Sequence, residues 1–201
     1  MDLMAKRYPK IILATQSKAR RKLMEELGVP FECHVSGYEE NMDEHENPRI
    51  LAKHLAEGKA AYIAHKFPDS FIIGADTFIT IDGEKIGKPA DVKEAETIIR
   101  KMSGKTIRVH SGIAVIRTDA AGKIEKKLVE YVLTKLKIKK MSLKEIHSLA
   151  HHEEALQISG AFSIEGEGGK MVEKIEGDYN NVIGLPLFRL RKMLELLKVI
   201  G

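Results

Sequence analysis

The stretch Phe71 to Pro89, FIIGADTFITIDGEKIGKP, carries the first reading of the fold. Phe71, Ile72 and Ile73 form a short apolar run that predicts a strand ending at Gly74, with Asp76 at the strand's exit. Phe78 to Ile81 resume a β-branched pattern, Asp82 and Gly83 supply a turn, and Ile86 leads into Gly87, Lys88 and Pro89. The pattern predicts a β-hairpin that offers a carboxylate and an ammonium at neighbouring strand ends. A surface hairpin with incidental charges has the same pattern, so a functional reading needs support from elsewhere in the chain.

Upstream, Ile11 to Ala14 reads as a buried strand, and Thr15 to Arg21 leads into a helix carrying Leu23, Met24 and Leu27. Basic residues in the first turn of that helix oppose the macrodipole, whose positive end and unpaired N–H groups lie there. A bound anion would relieve both, so Ser17, Arg20 and the free amides form a candidate phosphate cradle. Neither this segment nor the hairpin is a P-loop. Gly83 to Lys88 has three residues between its glycines instead of four, Pro89 stands where the pattern needs Ser or Thr, and the Gly168, Gly169, Lys170 run continues with Met171.

Further elements follow along the chain. Phe31 to Val35 reads as a strand. Asn47 and Pro48 open a helix reaching about His65, and Asp91 with Glu94 opens one that Gly104 stops. Ile107 to Arg117 and Ile124 to Ile138 form an antiparallel hairpin, Ser142 with Glu145 caps another helix, and the span from Gly160 to Gly177 reads as a loop whose backbone passes close to a ligand, or as a plain flexible turn. Asn180 and Asn181 either touch ribose or phosphate or cap the last helix, which Pro186 opens with Leu187, Leu190, Leu194 and Leu197 on one face. Hairpins interrupting helix–strand alternation indicate an α/β fold with a mixed sheet.

Composition bounds the function classes. A chain of 201 residues with 43% hydrophobic content can bury a core and reads as one domain over residues 1–201. No apolar run is long enough to span a bilayer, no apolar signal core precedes the first strand, and Cys33 is the only cysteine, so no membrane partner, a cytoplasmic location and no internal disulfide are expected. The net charge of +4 arises largely from lysines at 123–127 and 135–140. These clusters lack stacking aromatics and read as solvated faces or a lysine-guarded edge, with no stable nucleic-acid partner. His151, His152, Glu153 and Glu154 are adjacent and would fan around a helix axis, so they read as a solvated helix end.

Five segments in register resemble one family. Ser17 with Arg20 after an ILA strand, GADT at Gly74 to Thr77, GKP at Gly87 to Pro89, MSG at Met102 to Gly104, and GDYNNVIGLPL from Gly177 to Leu187 look like the Maf family of nucleoside triphosphate pyrophosphatases. The resemblance implies an elongated mixed β-sheet flanked by helices, two lobes with a central cleft, and often a homodimer. It also implies hydrolysis between the α and β phosphates of non-standard or surplus nucleoside triphosphates, with a divalent cation, Mg²⁺ or Mn²⁺. The family's association with septum formation supplies the competing reading, a non-catalytic nucleotide-binding module. The motif aspartate falls on Asp76, the motif lysines on Lys59 and Lys88, and the acidic residue after the second strand on Glu40, with Glu39 as its neighbouring alternative.

Those residue types suit the chemistry, since a triphosphate repels an attacking anion and charge moves onto the leaving pyrophosphate. Lys59, Lys88 and Arg20 would supply fixed positive charge, and Glu40, Glu165 and Asp76 are the candidate metal ligands. Asp76 acts either as general base toward water or as a metal ligand. Substrate choice is implied to rest on three places. In the group acting on thymidine and uridine triphosphates they resemble Pro-Arg-Arg after the serine, Thr after the aspartate, and IQG. In the group acting on 7-methylguanosine triphosphate they resemble Pro-Trp-Arg, Asp-Gln and SEG. This chain has Ala19 before Arg20, Thr77, and Glu165 within Ile164 to Gly166, a mixture of the two. Glu165 either accepts from a base N–H or faces the metal.

Overall fold

The computed structural model describes residues 8–200. Its centre is a seven-stranded mixed sheet of β1 (Lys10–Ala14), β2 (Glu32–His34), β3 (Ser70–Ile81), β4 (Glu84–Ile86), β5 (Thr106–Thr118), β6 (Ile124–Ile138) and β7 (Val172–Glu176). The order is β2-β1-β3-β5-β6-β7, with β4 paired to β3. Strand β1 is parallel to β2 and β3, and the remaining pairings are antiparallel. Helices α1 (Lys18–Glu25), α2 (Pro48–Ala64), α3 (Val92–Met102), α4 (Leu143–Ala150), α5 (Tyr179–Ile183) and α6 (Leu187–Leu196) flank it. The expected mixed α/β architecture is therefore the observed one.

Strand alternation decides which helix lies where. On one face Leu13, Ile73, Ala75 and Ile113 pack with Met24 of α1 and Leu190 and Leu194 of α6. On the other, Ile12, Ile72 and Ala114 pack with Ala56, Ala60 and Ile63 of α2. A third cluster lies toward the far end of the sheet, where Ile79, Ile81 and Val109 meet Ile99 of α3 and Ile146 of α4. Between the first and third clusters, Thr77 and its cross-strand partner Ser111 interrupt the apolar surface with a hydroxyl–hydroxyl hydrogen bond of 2.8 Å. That polar waist divides the apolar surface of this face in two, while α2 packs along the opposite face.

Two sequence expectations are corrected here. The strand expected to end at Gly74 runs unbroken from Ser70 to Ile81, which puts Asp76 in mid-strand instead of at an exit. Gly74 serves packing: a Cβ there would come within 2.2 Å of the Ala56 carbonyl, and one on Gly112 of β5 within 1.8 Å of the Ala52 carbonyl, so both glycines let α2 lie directly on the sheet. The glycine-rich span also contains β7, which covers β6 from Lys135 to Ile138 and pairs Lys137 with Glu173 at 2.8 Å. Its sequence, VEKIE, has no period-two alternation and follows a run of glycines, so it carries no strand signal. The Asp82–Gly83 turn forms as expected, with φ of 52° and 90°.

Helix starts follow the sequence closely. Asn47 caps α2 with Pro48 at its first position, Ser142 and Glu145 form a complete capping box on α4, and Asp91 caps α3. The Glu94 carboxylate departs from the expected box by accepting from the Ala90 N–H.

Candidate active site

Asp76 and Lys59 meet because of the close approach of α2. Ala52, Ala56 and Ala60 present a smooth helix face to Gly112 and Gly74, and Lys59, next to that face, reaches the even-numbered side of β3. Its Nζ donates to Asp76 Oδ1 at 2.5 Å and lies 2.8 Å from Glu40 Oε1. Asp76 is 4% exposed and Lys59 7%, so the pair is sealed by the core, whereas the Glu40 side chain stands 43% open to solvent. The ammonium thus bridges one buried carboxylate and one at the surface.

The segment carrying Glu40 is anchored by Tyr38. Its ring sits against Gly58 of α2, where a Cβ would lie 2.4 Å from Tyr38 Cζ, and its hydroxyl is 3.1 Å from His54 Nε2. Gly58 in mid-helix was a legible signal of such a contact, though nothing in the sequence named its partner. Of the two candidate acids, Glu40 is the one that reaches Lys59.

Ser17 caps α1 by accepting the Arg20 N–H at 3.3 Å, while Thr15 Oγ1 accepts the Ser17 N–H at 3.1 Å. The Arg20 guanidinium donates through Nε to the Gly184 carbonyl at 2.8 Å. Burial lowers its pKa, while the charges of Asp76 and Glu40 act in the opposite direction. Arginine stays protonated under such opposing influences. Arg20 is thereby coupled to the same two acids as Lys59.

The carboxyl-terminal motif closes the arrangement. Thr77 Oγ1 also reaches the Gly184 carbonyl at 3.4 Å, and Asp178 caps α5 through the Asn180 and Asn181 N–H groups. Asn181 is fully buried and donates to Val109 O at 3.3 Å and Thr134 Oγ1 at 3.0 Å, which makes it a brace of the loop; both asparagines lie inside α5, and the last helix, whose capping was one of their two expected roles, starts at Pro186 with no side-chain cap. The polar partners Ser111 and Thr134 were missed from sequence because isolated hydroxyls in apolar strands carry no motif.

Lys88 is solvent-exposed, two residues beyond Ile86, the partner of Ile79. A short turn ties this segment to the site: Ser159 Oγ donates to Thr77 O at 3.3 Å, and Gly160 N donates to Gly87 O at 2.9 Å. Glu165 lies elsewhere on the rim. Together with Ala19, Lys22, Tyr179, Asn180 and Ile183 it lines a cleft of about 160 Å³, and its carboxylate is 4.0 Å from Lys22 Nζ. The structure therefore gathers Arg20, Lys59, Asp76 and Glu40 about one centre, and places Ala19 and Glu165 together in a neighbouring cleft.

Glu40 and Asp76 provide hard oxygen donors that already converge on one cation, the Lys59 ammonium, which is the kind of donor set Mg²⁺ or Mn²⁺ accepts. Glu165 does not join them in a three-carboxylate cluster among the described residues.

The Maf-like protein family matches residues 10–197. A protein of Dictyoglomus thermophilum named dTTP/UTP pyrophosphatase is 40% identical over 188 residues, 93% of this chain and 95% of its own length. One of Bacillus cereus with the same name is 36% identical over 186 residues, 92% and 94% of the two chains. The solved structure of a HAM1 protein from Coxiella burnetii is a distant likeness, with 15% identity, a TM-score of 0.43, and coverage of 66% and 74%. With the family match spanning nearly all of the described chain, the protein belongs to the Maf-like family.

Proposed function

We propose that this chain is a nucleoside triphosphate pyrophosphatase, cleaving between the α and β phosphates to give a nucleoside monophosphate and pyrophosphate. The observation that carries the reading is the buried Asp76–Lys59 pair, joined by Glu40 at the surface and by the charge of Arg20. Desolvation of a buried ion pair can outweigh its Coulomb attraction, so such a pair is weak evidence for a purely structural role. Relatives 36–40% identical over nearly their whole length are named dTTP/UTP pyrophosphatase, which supports the same class and disfavours a non-catalytic module.

In this reading Arg20, Lys59 and Lys88 hold the polyphosphate, and the amides of the α1 start contribute N–H groups beside Ser17. As general base, Asp76 orients the attacking water and takes its proton, with Lys59 engaging Oδ1 and leaving Oδ2 for that role. Glu40, together with Asp76 in the alternative where it is a ligand instead of the base, would hold a divalent ion, Mg²⁺ or Mn²⁺, which when bound neutralises phosphate charge. Glu165, set apart from those acids, serves on the base side with Ala19, while Thr77 fixes the Gly184 turn that separates the two regions.

Thymidine and uridine triphosphates are the first substrates to try, since the relatives carry those names and Thr77 matches that group. Ala19 and Glu165 depart from it, so the panel includes guanosine and modified nucleotides. The test is product analysis after incubation with Mg²⁺ or Mn²⁺. Equimolar monophosphate and pyrophosphate are expected; orthophosphate as the first product would show that a different bond breaks, and tight binding with unchanged nucleotide would return the competing module.

A further inference from the structure

We infer that Glu96, His147 and His151 form a second metal site, selective for a transition-metal ion of the Zn²⁺ type and separate from the Asp76 region. His147, on α4, and His151, its C-cap residue, are four residues apart, the spacing at which two imidazoles can chelate one ion. Their ring centroids are 3.9 Å apart. Glu96, from the adjacent helix α3, points its Oε1 at both: 2.8 Å from His147 Nδ1 and 4.0 Å from His151 Nδ1. One donor atom from each residue lies within 4.8 Å of the other two. Tetrahedral Zn²⁺ with bonds of about 2 Å sets its donors roughly 3.3 Å apart, so binding requires His147 and Glu96 to turn toward His151 Nε2, the nitrogen left free by the bond of Nδ1 to the His147 carbonyl. The His147 and His151 side chains are 67% and 48% exposed, which leaves room for that turn while His151 Nδ1 stays on the His147 carbonyl.

The tautomers are also prepared. His151 Nδ1 donates to the His147 carbonyl at 2.9 Å, which keeps its proton on Nδ1 and leaves Nε2 with a free lone pair, the outer-shell bond usual for a ligating histidine. Two imidazoles and one carboxylate favour Zn²⁺, Ni²⁺ or Cu²⁺ over Mg²⁺, and three protein ligands leave one coordination position for water. A second group, Glu44, His45 and His54, meets the same distance criterion, but His54 Nε2 is engaged by both Tyr38 and Glu44. The α3–α4 site has the cleaner donor set.

Its position suggests what an ion would do there. Helix α3 begins four residues after Lys88, and α4 precedes the turns that carry Ser159, Gly160 and Glu165. An ion bridging Glu96 to the two histidines staples these helices and stiffens the lobe from which both segments reach the cleft.

The test is Zn²⁺ titration calorimetry on the full chain in excess Mg²⁺, comparing wild type with His147→Ala, His151→Ala and Glu96→Gln, together with melting curves with and without Zn²⁺. Each histidine variant is expected to lose about tenfold or more in Zn²⁺ affinity at this site. Zn²⁺ should raise the wild-type melting temperature, and it should leave that of His151→Ala unchanged. Metal-free melts matching wild type will show that the exposed substitutions leave the fold intact, and His151→Gln gives a second probe if Ala does not. Zn²⁺ isotherms that superimpose for wild type and the histidine variants would overturn the proposal.

Discussion

At the scale of single residues, the Asp76–Lys59–Glu40 arrangement links stability to chemistry. Lys59→Met would leave Asp76 buried without its counter-charge, and breaking a buried pair in this way costs about 3–5 kcal/mol. Urea denaturation of the variant should therefore show a markedly lower midpoint, and an unchanged one would mean that Asp76 finds another partner. His110 gives a pH prediction. Burial first, and the Arg108 cation second, depress its pKa from 6.5 to about 4, consistent with its bonds to Thr80 at 2.9 Å and Tyr131 at 2.7 Å. The unfolded chain takes up that proton at higher pH than the folded one. The contribution of neutral His110 is thus full above pH 6.5 and is lost as pH falls toward 4. It amounts to on the order of 2 kcal/mol after allowance for partial solvent access. His110→Phe should flatten that part of the stability profile; a profile of unchanged slope would assign it to other groups. Asp76, Lys59 and Arg20 were legible in the sequence through their motifs. The hydroxyls of Ser111 and Thr134, and the approach of Glu96 to His147, were not, because their partners lie 34 to 51 residues away and no local pattern joins them.

At the scale of elements, the contact between α2 and the sheet is the device that positions the site. Gly112 and Gly74 admit the backbone of α2, and Gly58 admits the Tyr38 ring that anchors the Glu40 segment. Gly112→Ala would press its Cβ onto the Ala52 carbonyl and is expected to cost about 1–3 kcal/mol by overpacking while moving Lys59 relative to Asp76. Activity should fall further than the stability loss explains, and full activity in a folded variant would show that α2 can shift without consequence. Capping residues and strand alternation made most helices and the β5–β6 hairpin readable in advance. Gly74 misled because a glycine within an apolar run normally marks an end, whereas here the close approach of a helix requires it. Strand β7 escaped because its five residues follow a glycine-rich stretch and acquire strand character only by pairing with β6.

At the scale of the whole molecule, two apolar regions of one sheet face meet at a polar waist, and the waist is where the widely separated motifs come together. Arg20 from the first helix, Lys59 from the second, Asp76 from the central strand and Gly184 from the carboxyl-terminal turn are linked within one set of contacts. No helix among the described residues is long and apolar enough to cross a membrane. The most direct measurement is pyrophosphate release by wild type and Asp76→Asn at saturating triphosphate, with binding followed in parallel. The account predicts a loss of roughly 10²–10⁴-fold in turnover with the nucleotide still bound. Equal turnover by the two proteins would contradict it.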